Sequence, residues 1–324
     1  MLICVNYHYI RESFEAKHPS IFGIQPVAFE RQLEAISKIG KFISAEDLAT
    51  AIINGKGLEG NRVLITFDDG LKEQMNLAVP ILNRMGIPAI FFANSASFTE
   101  KRVETVHKIH LVRSIISPKD LLHMADNHLP EMTPAELSEI RAKGIEHYKY
   151  DNEDTAELKY LLNFILEKTQ LQEFIDHAFQ MAFNEVGVNE ELYMSIDDIA
   201  KLARQGQLGS HGHTHVPMGL QDLSTKRKEI VGSAEIFKKL TGKQPIGFSF
   251  PYGSLNSAEG CKDLLVEGDY KFALTMERAI NHDLFQPFGL SRFDNNDMPL
   301  GKSFPFQSHM EVFNYPMRSW KIIN

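Results

Sequence analysis

The strongest constraint on the fold is a pair of short apolar runs with a helical pattern between them. "VLITF" (Val63–Phe67) and "PAIFFAN" (Pro88–Asn94) are nearly continuous apolar runs, as strands buried on both faces require. Between them "LKEQMNLAVPILNRMG" (71–86) has apolar residues at helical spacing despite Pro80. Strand, helix and strand at this distance imply a parallel β-α-β unit with its helix outside the sheet.

The same rhythm extends in both directions. "LICVNYH" (2–8) reads as a first strand, and "PVAFERQLEAISKIG" (26–40) as a helix with Ala28, Phe29, Leu33, Ile36 and Ile39 on one stripe. "SAEDLATAIING" (44–55) is a short helix with Ser44 as cap. From about Glu100 to Glu190 no strand signal stands out, and helical patterns such as "DTAELKYLLNFILEKT" and "QLQEFIDHAFQMAFNEV" fill the region. The alternation then resumes with strands in "QLGSH", "IGFSF", "KFALTM" and "FGLSRFD". The expected organisation is one domain over 1–324 with a helical insertion at 101–190, serving as a lid or an oligomer contact. His107, His110, His123 and His128 in that insertion lack ligand spacing and read as surface residues.

Composition narrows the functional classes. A net charge of −8 argues against a broad nucleic-acid-binding face. No stretch reaches the roughly 18 apolar residues of a membrane span. The N-terminal "MLICVNYHYIRES" lacks a basic segment, and Asn6 and His8 interrupt its apolar run. It does not read as a signal peptide, so the expected localisation is cytoplasmic. Cys4 and Cys261 are too few for a disulfide framework and read as free thiols.

Two stretches carry the chemistry. "TFDDG" sets Asp68 and Asp69 side by side where a buried strand ends, although adjacent carboxylates repel and are costly to bury. "LGSHGHTH" supplies His211, His213 and His215 within five residues. His211 and His215 share a face if the chain turns helically after Ser210, which Gly209 and Gly212 favour. Taken alone, the first stretch reads as a solvated turn and the second as a histidine-rich loop. Together, two histidines and one aspartate make a three-ligand metal site with open positions. The second aspartate then stands beside a cation, able to accept a proton from water, and the electrostatic objection disappears.

With "FSFPYG" (248–253) as a third element, the chain resembles the polysaccharide deacetylase (NodB-homology) family over residues 1–100 and about 190–295. The resemblance implies an α/β fold, a distorted (β/α) barrel of roughly seven strands, fewer than the eight of a full TIM barrel. It implies Asp68 as general base and Asp69, His211 and His215 as ligands of one divalent metal ion. Zinc suits the set, and cobalt, nickel or iron would fit it too. It also implies that the Tyr252 backbone N–H stabilises an oxyanion, against the alternative of a core aromatic. Two departures stand out. The arginine that many members place three residues before the proline of the third motif is Phe248 here, and Arg292 in "LSRFD" is the candidate substitute, with Asp294 as a further partner for it. No late Leu-x-His supplies a general acid, for which His8 and His309 are candidates. His213 is expected to face away from the metal.

The functional expectation is a metal-dependent amide hydrolase removing an N-acetyl or N-formyl group from an amino sugar. Its substrate would be free, nucleotide-linked or lipid-linked, an intracellular intermediate of surface polysaccharide or lipopolysaccharide assembly. No nucleic-acid partner is expected, and a homo-oligomer would form through the insertion. The alternatives are an inactive sugar-binding or scaffold barrel and an amidase acting on a non-sugar small molecule.

Overall fold

The computed structural model describes residues 1–13, 23–125, 128–129, 132–149, 151–303 and 312–313. They fall into two compact units, one from 1–13, 23–102 and 189–313, the other from within 103–188.

The first unit carries eight strands: β1 (Leu2–Tyr7), β2 (Lys41–Phe42), β3 (Arg62–Phe67), β4 (Ala89–Ala93), β5 (Leu208–Ser210), β6 (Gly247–Ser249), β7 (Phe272–Leu274) and β8 (Phe293–Asp294). They pair in parallel in the order β7-β6-β5-β4-β3-β1-β8, with the two-residue β2 paired to the start of β3. An isolated parallel bridge joins Leu274 of β7 to Leu290, on the segment leading into β8. The seven strands of the main path thus curl into an incomplete (β/α) barrel, as expected.

Strand periodicity sorts each side chain to the inside or the outside of this barrel. Ile3, Val5, Tyr7, Val63, Ile65, Phe67 and Phe91 share one core cluster with the helix residues Phe29, Leu33 and Ile36. Leu2, Cys4, Leu64, Ile90, Phe92, Phe272, Leu274 and Leu290 form another. Continuing the second set along each strand gives Asn6, Thr66, Asp68 and Arg292, all buried. The inner column therefore changes from apolar at the amino ends of the strands to polar at the carboxyl ends. Gly209 and Gly247 belong to the same set, because a Cβ there would meet the rings of Phe92 and Phe272 at 2.3 and 2.6 Å.

The helices of the first unit follow the sequence with two adjustments. Ser44 caps Ala45–Ile53 by accepting the Asp47 N–H at 3.0 Å. The helix after Asp69 opens with a π turn, Gln74–Ala78, before Val79–Met85. Pro80 has no N–H to return to the turn before it, and the change of register falls where that bond would have been. A second π turn, Lys228–Gly232, divides Leu223–Arg227 from Ser233–Thr241.

The described part of the second unit is helical, including Thr105–Ile115, Pro134–His147, Glu153–Tyr160 and Lys168–Ala182. Phe174, Ile175, Ala178 and Phe179 are buried on one face, as their spacing requires. The pattern read as one helix over 154–169 breaks at Leu166, where the backbone is extended, and restarts at Lys168. His107 departs from the surface reading and is fully buried. Its neighbour Lys108 is also buried, and its ammonium lies 2.7 Å from Asp176 and 2.8 Å from Glu185, opposite charges that offset the cost of burial. Among the described residues no helix is long and apolar enough to cross a membrane. His309 and most of the aromatic tail lie outside the described residues.

Candidate metal centre

Each sequence motif begins where a parallel strand ends, on the face where barrel folds carry their sites. Asp68 and Asp69 follow β3, His211 follows β5, and Tyr252 lies just beyond β6. The chain must turn sharply at these points. Asp69 (φ 78), His215 (φ 52) and Tyr252 (φ 60) all adopt the left-handed conformation, which is unfavourable for residues with a Cβ. Such strain persists only where the surroundings enforce it, and three of the six non-glycine residues with positive φ among the described residues belong to this one site. Gly70 (φ 63) must be glycine for a further reason, since a Cβ would sit 2.7 Å from that of Ala93.

Asp69, His211 and His215 converge. The His211 Nε2 lies 3.6 Å and the His215 Nε2 3.5 Å from Asp69 Oδ1. All three ligand atoms lie within 4.8 Å of one another. Atoms bound at ~2.0–2.1 Å to one tetrahedral ion stand about 3.3 Å apart, so the two separations from Asp69 suit a shared divalent cation. The tautomer of His211 fits as well. Its Nδ1–H donates to the Ser249 carbonyl at 2.7 Å, which leaves Nε2 with the lone pair facing the cluster. The two imidazoles meet by a route other than the helical turn anticipated. Gly212 (φ 84) and His215 are both left-handed, so a bend brings the rings together.

Asp68 is the most constrained side chain of the site. Arg292 grips it with two parallel bonds, Nη1 to Oδ1 at 2.9 Å and Nη2 to Oδ2 at 2.8 Å, and Asn6 donates to Oδ2 at 3.0 Å. Burial raises the carboxyl pKa and is the largest single influence, but the charge of Arg292, His211, the Arg292 hydrogen bond and His8 together outweigh it. The result is a pKa of about 2, so Asp68 is ionised at any physiological pH. Arg292 is fully buried and one residue before β8, and also donates to Ser249 Oγ and the Thr275 carbonyl. Asp294 does not serve as its anchor; its Oδ1 accepts instead from Asn296.

Phe248 proves to be the wrong place to look for a missing arginine. It packs outside the barrel against Phe250 and Tyr270, while its neighbour Ser249 points inward to Arg292. Alternation along β6 assigns the inward position to Ser249. Tyr252 is not a core aromatic. It is 58% exposed, with its ring 5.1 Å from that of His215. His8, half-buried after β1, has Nε2 3.5 Å from Asn6 Nδ2. His213 is buried away from the cluster, its Nε2 3.0 Å from Glu100 Oε1 and its Nδ1 2.8 Å from Ser95 Oγ. This trio has the composition of a hydrolytic triad, but Ser95 is fully buried and no substrate can reach it.

Asn6, Thr66, Ser249 and Gln74 were given no role at the site from sequence. Thr66 donates to Asn6 Oδ1 at 3.0 Å, and Gln74 donates to the Asp68 carbonyl at 2.7 Å. For the first three a signal exists: each is a polar residue at an inward position of an otherwise apolar strand.

Residues 55–163 and 166–262, well over half of the chain, match the sequence profile of the polysaccharide deacetylase family. The chain belongs to the polysaccharide deacetylase family. The match runs through most of the helical insertion, beyond the motifs that first carried the resemblance. As a family member the protein is a carbohydrate N-deacetylase, a hydrolase. No curated protein matches it. Among solved structures, IcaB from Ammonifex degensii is similar at 15% identity and a TM-score of 0.50, covering 90% of each chain. A de-N-acetylase from Aggregatibacter actinomycetemcomitans is similar at 13% identity and a TM-score of 0.51, over 91% of this chain and 95% of that one. At such identities the likeness speaks for the barrel alone.

Proposed function

We propose that this deacetylase is metal-dependent and removes an N-acetyl or N-formyl group from an amino sugar, with Asp69, His211 and His215 holding one divalent ion, zinc by preference. The observation that carries the reading is the Asp68–Arg292 clamp beside a convergent Asp-His-His set. A cation held there would polarise the amide carbonyl and acidify water enough for a base as weak as Asp68 to take its proton.

The residues divide the remaining work. Arg292 and Asn6 fix Asp68 and occupy three of the roughly four acceptor positions of its carboxylate, leaving room on Oδ1 for one water. Asp68 accepts that water's proton as the oxygen attacks the amide carbon. The Tyr252 N–H donates to the developing oxyanion. His8 then delivers a proton to the departing amine, and the C–N bond breaks to give acetate and a free amino group. The sugar's attachment, whether free, nucleotide-linked or lipid-linked, and a cytoplasmic setting belong to the same proposal. Cell fractionation tests the latter.

Asp68→Asn separates chemistry from metal binding. Acetate release from N-acetylated amino sugars, followed by NMR, is expected to fall about 10²–10⁴-fold while zinc is retained. Undiminished release by a zinc-loaded Asp68→Asn variant would refute the assignment.

A further inference from the structure

The loop that carries His213, Thr214 and His215 is folded around a carboxylate from elsewhere in the chain. Glu229 is 2% exposed and lies in the π turn Lys228–Gly232. Its Oε2 accepts the backbone N–H groups of His213 at 2.6 Å and Thr214 at 2.8 Å, and its Oε1 accepts the Thr214 hydroxyl. A Cβ on Gly212 would meet the same Oε2 at 2.9 Å. Successive N–H groups converging on one oxygen form the concavity by which backbone commonly holds an anion. Here the anion is built into the protein, and the next residue of the loop is the left-handed His215.

We propose that Glu229 is a positioning residue of the metal centre: its buried carboxylate is the template for the Gly212–His215 loop and sets the direction of the His215 imidazole. This inference rests on the reading of Asp69, His211 and His215 as metal ligands. The opposite wall of the site is built in the same way. Gln74, at the start of the π turn Gln74–Ala78, donates to the carbonyls of Asp68 at 2.7 Å and His8 at 3.0 Å. Each metal-bearing loop is thus gripped through its backbone by a buried polar side chain from the π turn of the helix that follows it. π turns recur at functional sites because they reset which side chains face a neighbouring loop.

The test uses the full chain and two readouts. Zinc dissociation constants are measured by competition with a chromogenic chelator, and the visible absorption of the cobalt(II)-loaded protein reports ligand geometry. Glu229→Ala is expected to weaken zinc binding about 10- to 100-fold, the usual effect of losing a residue that orients a ligand. Its cobalt spectrum at saturation should also change. Glu229→Gln should recover part of the loss, because its amide oxygen can still accept both N–H groups. A merely structural glutamate would lower the melting temperature and leave affinity and spectrum unchanged in folded protein, which would overturn the inference. If Glu229→Ala does not fold, Thr214→Val decides. This change removes only the hydroxyl donor, and several-fold weaker zinc binding supports the inference whereas parental affinity overturns it. A parent that binds no zinc would remove the ligand reading and this inference together. A binding parent with unaffected variants would remove only the inference.

Discussion

Replacing Arg292 by methionine keeps the stem of the side chain and removes the charge that holds Asp68. The guanidinium donates to Asp68 at both oxygens, to Asn6 Oδ1 at 3.0 Å, to Ser249 Oγ at 2.8 Å and to the Thr275 carbonyl at 3.1 Å. Removing one partner of a fully buried ion pair leaves the other uncompensated and costs about 3–5 kcal/mol. The pH dependence gives a sharper test than the magnitude. In the parent, the Asp68 carboxyl is held at about 2 against an ordinary 3.8. That difference of about 1.8 units corresponds to about 2 kcal/mol of stability. The native state holds fewer protons than the unfolded chain, so this contribution is complete above about pH 4 and is lost as pH falls through the folded value. Without Arg292, burial becomes the dominant influence and raises the carboxyl above its ordinary range. The native variant then holds more protons than its unfolded chain and loses stability as pH rises. The gap between parent and variant should therefore widen from mildly acid to neutral solution. Urea unfolding of both proteins between pH 4.5 and 8, with a chelator present to exclude metal linkage, measures it. A gap below about 1 kcal/mol that does not change with pH would show that the pair behaves as an exposed one and that Arg292 does not hold Asp68.

Other expectations follow from single contacts. Gly70→Ala adds a Cβ 2.7 Å from that of Ala93 at a left-handed position, and should cost about 1–3 kcal/mol in denaturant unfolding. It should also displace Asp69 and weaken zinc binding; parental stability and affinity would contradict the close approach. Residues 101–190 are proposed as a lid or an oligomer contact. Their deletion is then expected to alter either assembly size in sedimentation or the rate of acetate release, and neither changing would exclude both roles.

The barrel's first half and the grouping of Asp69, His211 and His215 were legible because each depends on local pattern. Val63–Phe67 and Pro88–Asn94 announce buried parallel strands, and Asp69, His211 and His215 stand at the strand ends where such a barrel exposes its chemistry. Arg292 was legible only as an arginine beside a late strand that could stand in for the family's, since nothing in "LSRFD" encodes its reach to Asp68. Ser249 was hidden by a shift of one residue, which in a strand exchanges inside for outside. Glu229 gave no signal, because a lone glutamate in a helical pattern ordinarily faces solvent and its π turn arises from tertiary packing. His107 is likewise buried although residue spacing leaves no mark of it.

Asp69, His211 and His215 are proposed to bind one catalytic metal ion. Elemental analysis of the purified protein beside a His211→Ala, His215→Ala double variant tests this proposal most directly. About one equivalent of a transition metal per chain is expected in the parent and none in the variant. A parent free of metal even after reloading with zinc or cobalt would contradict it.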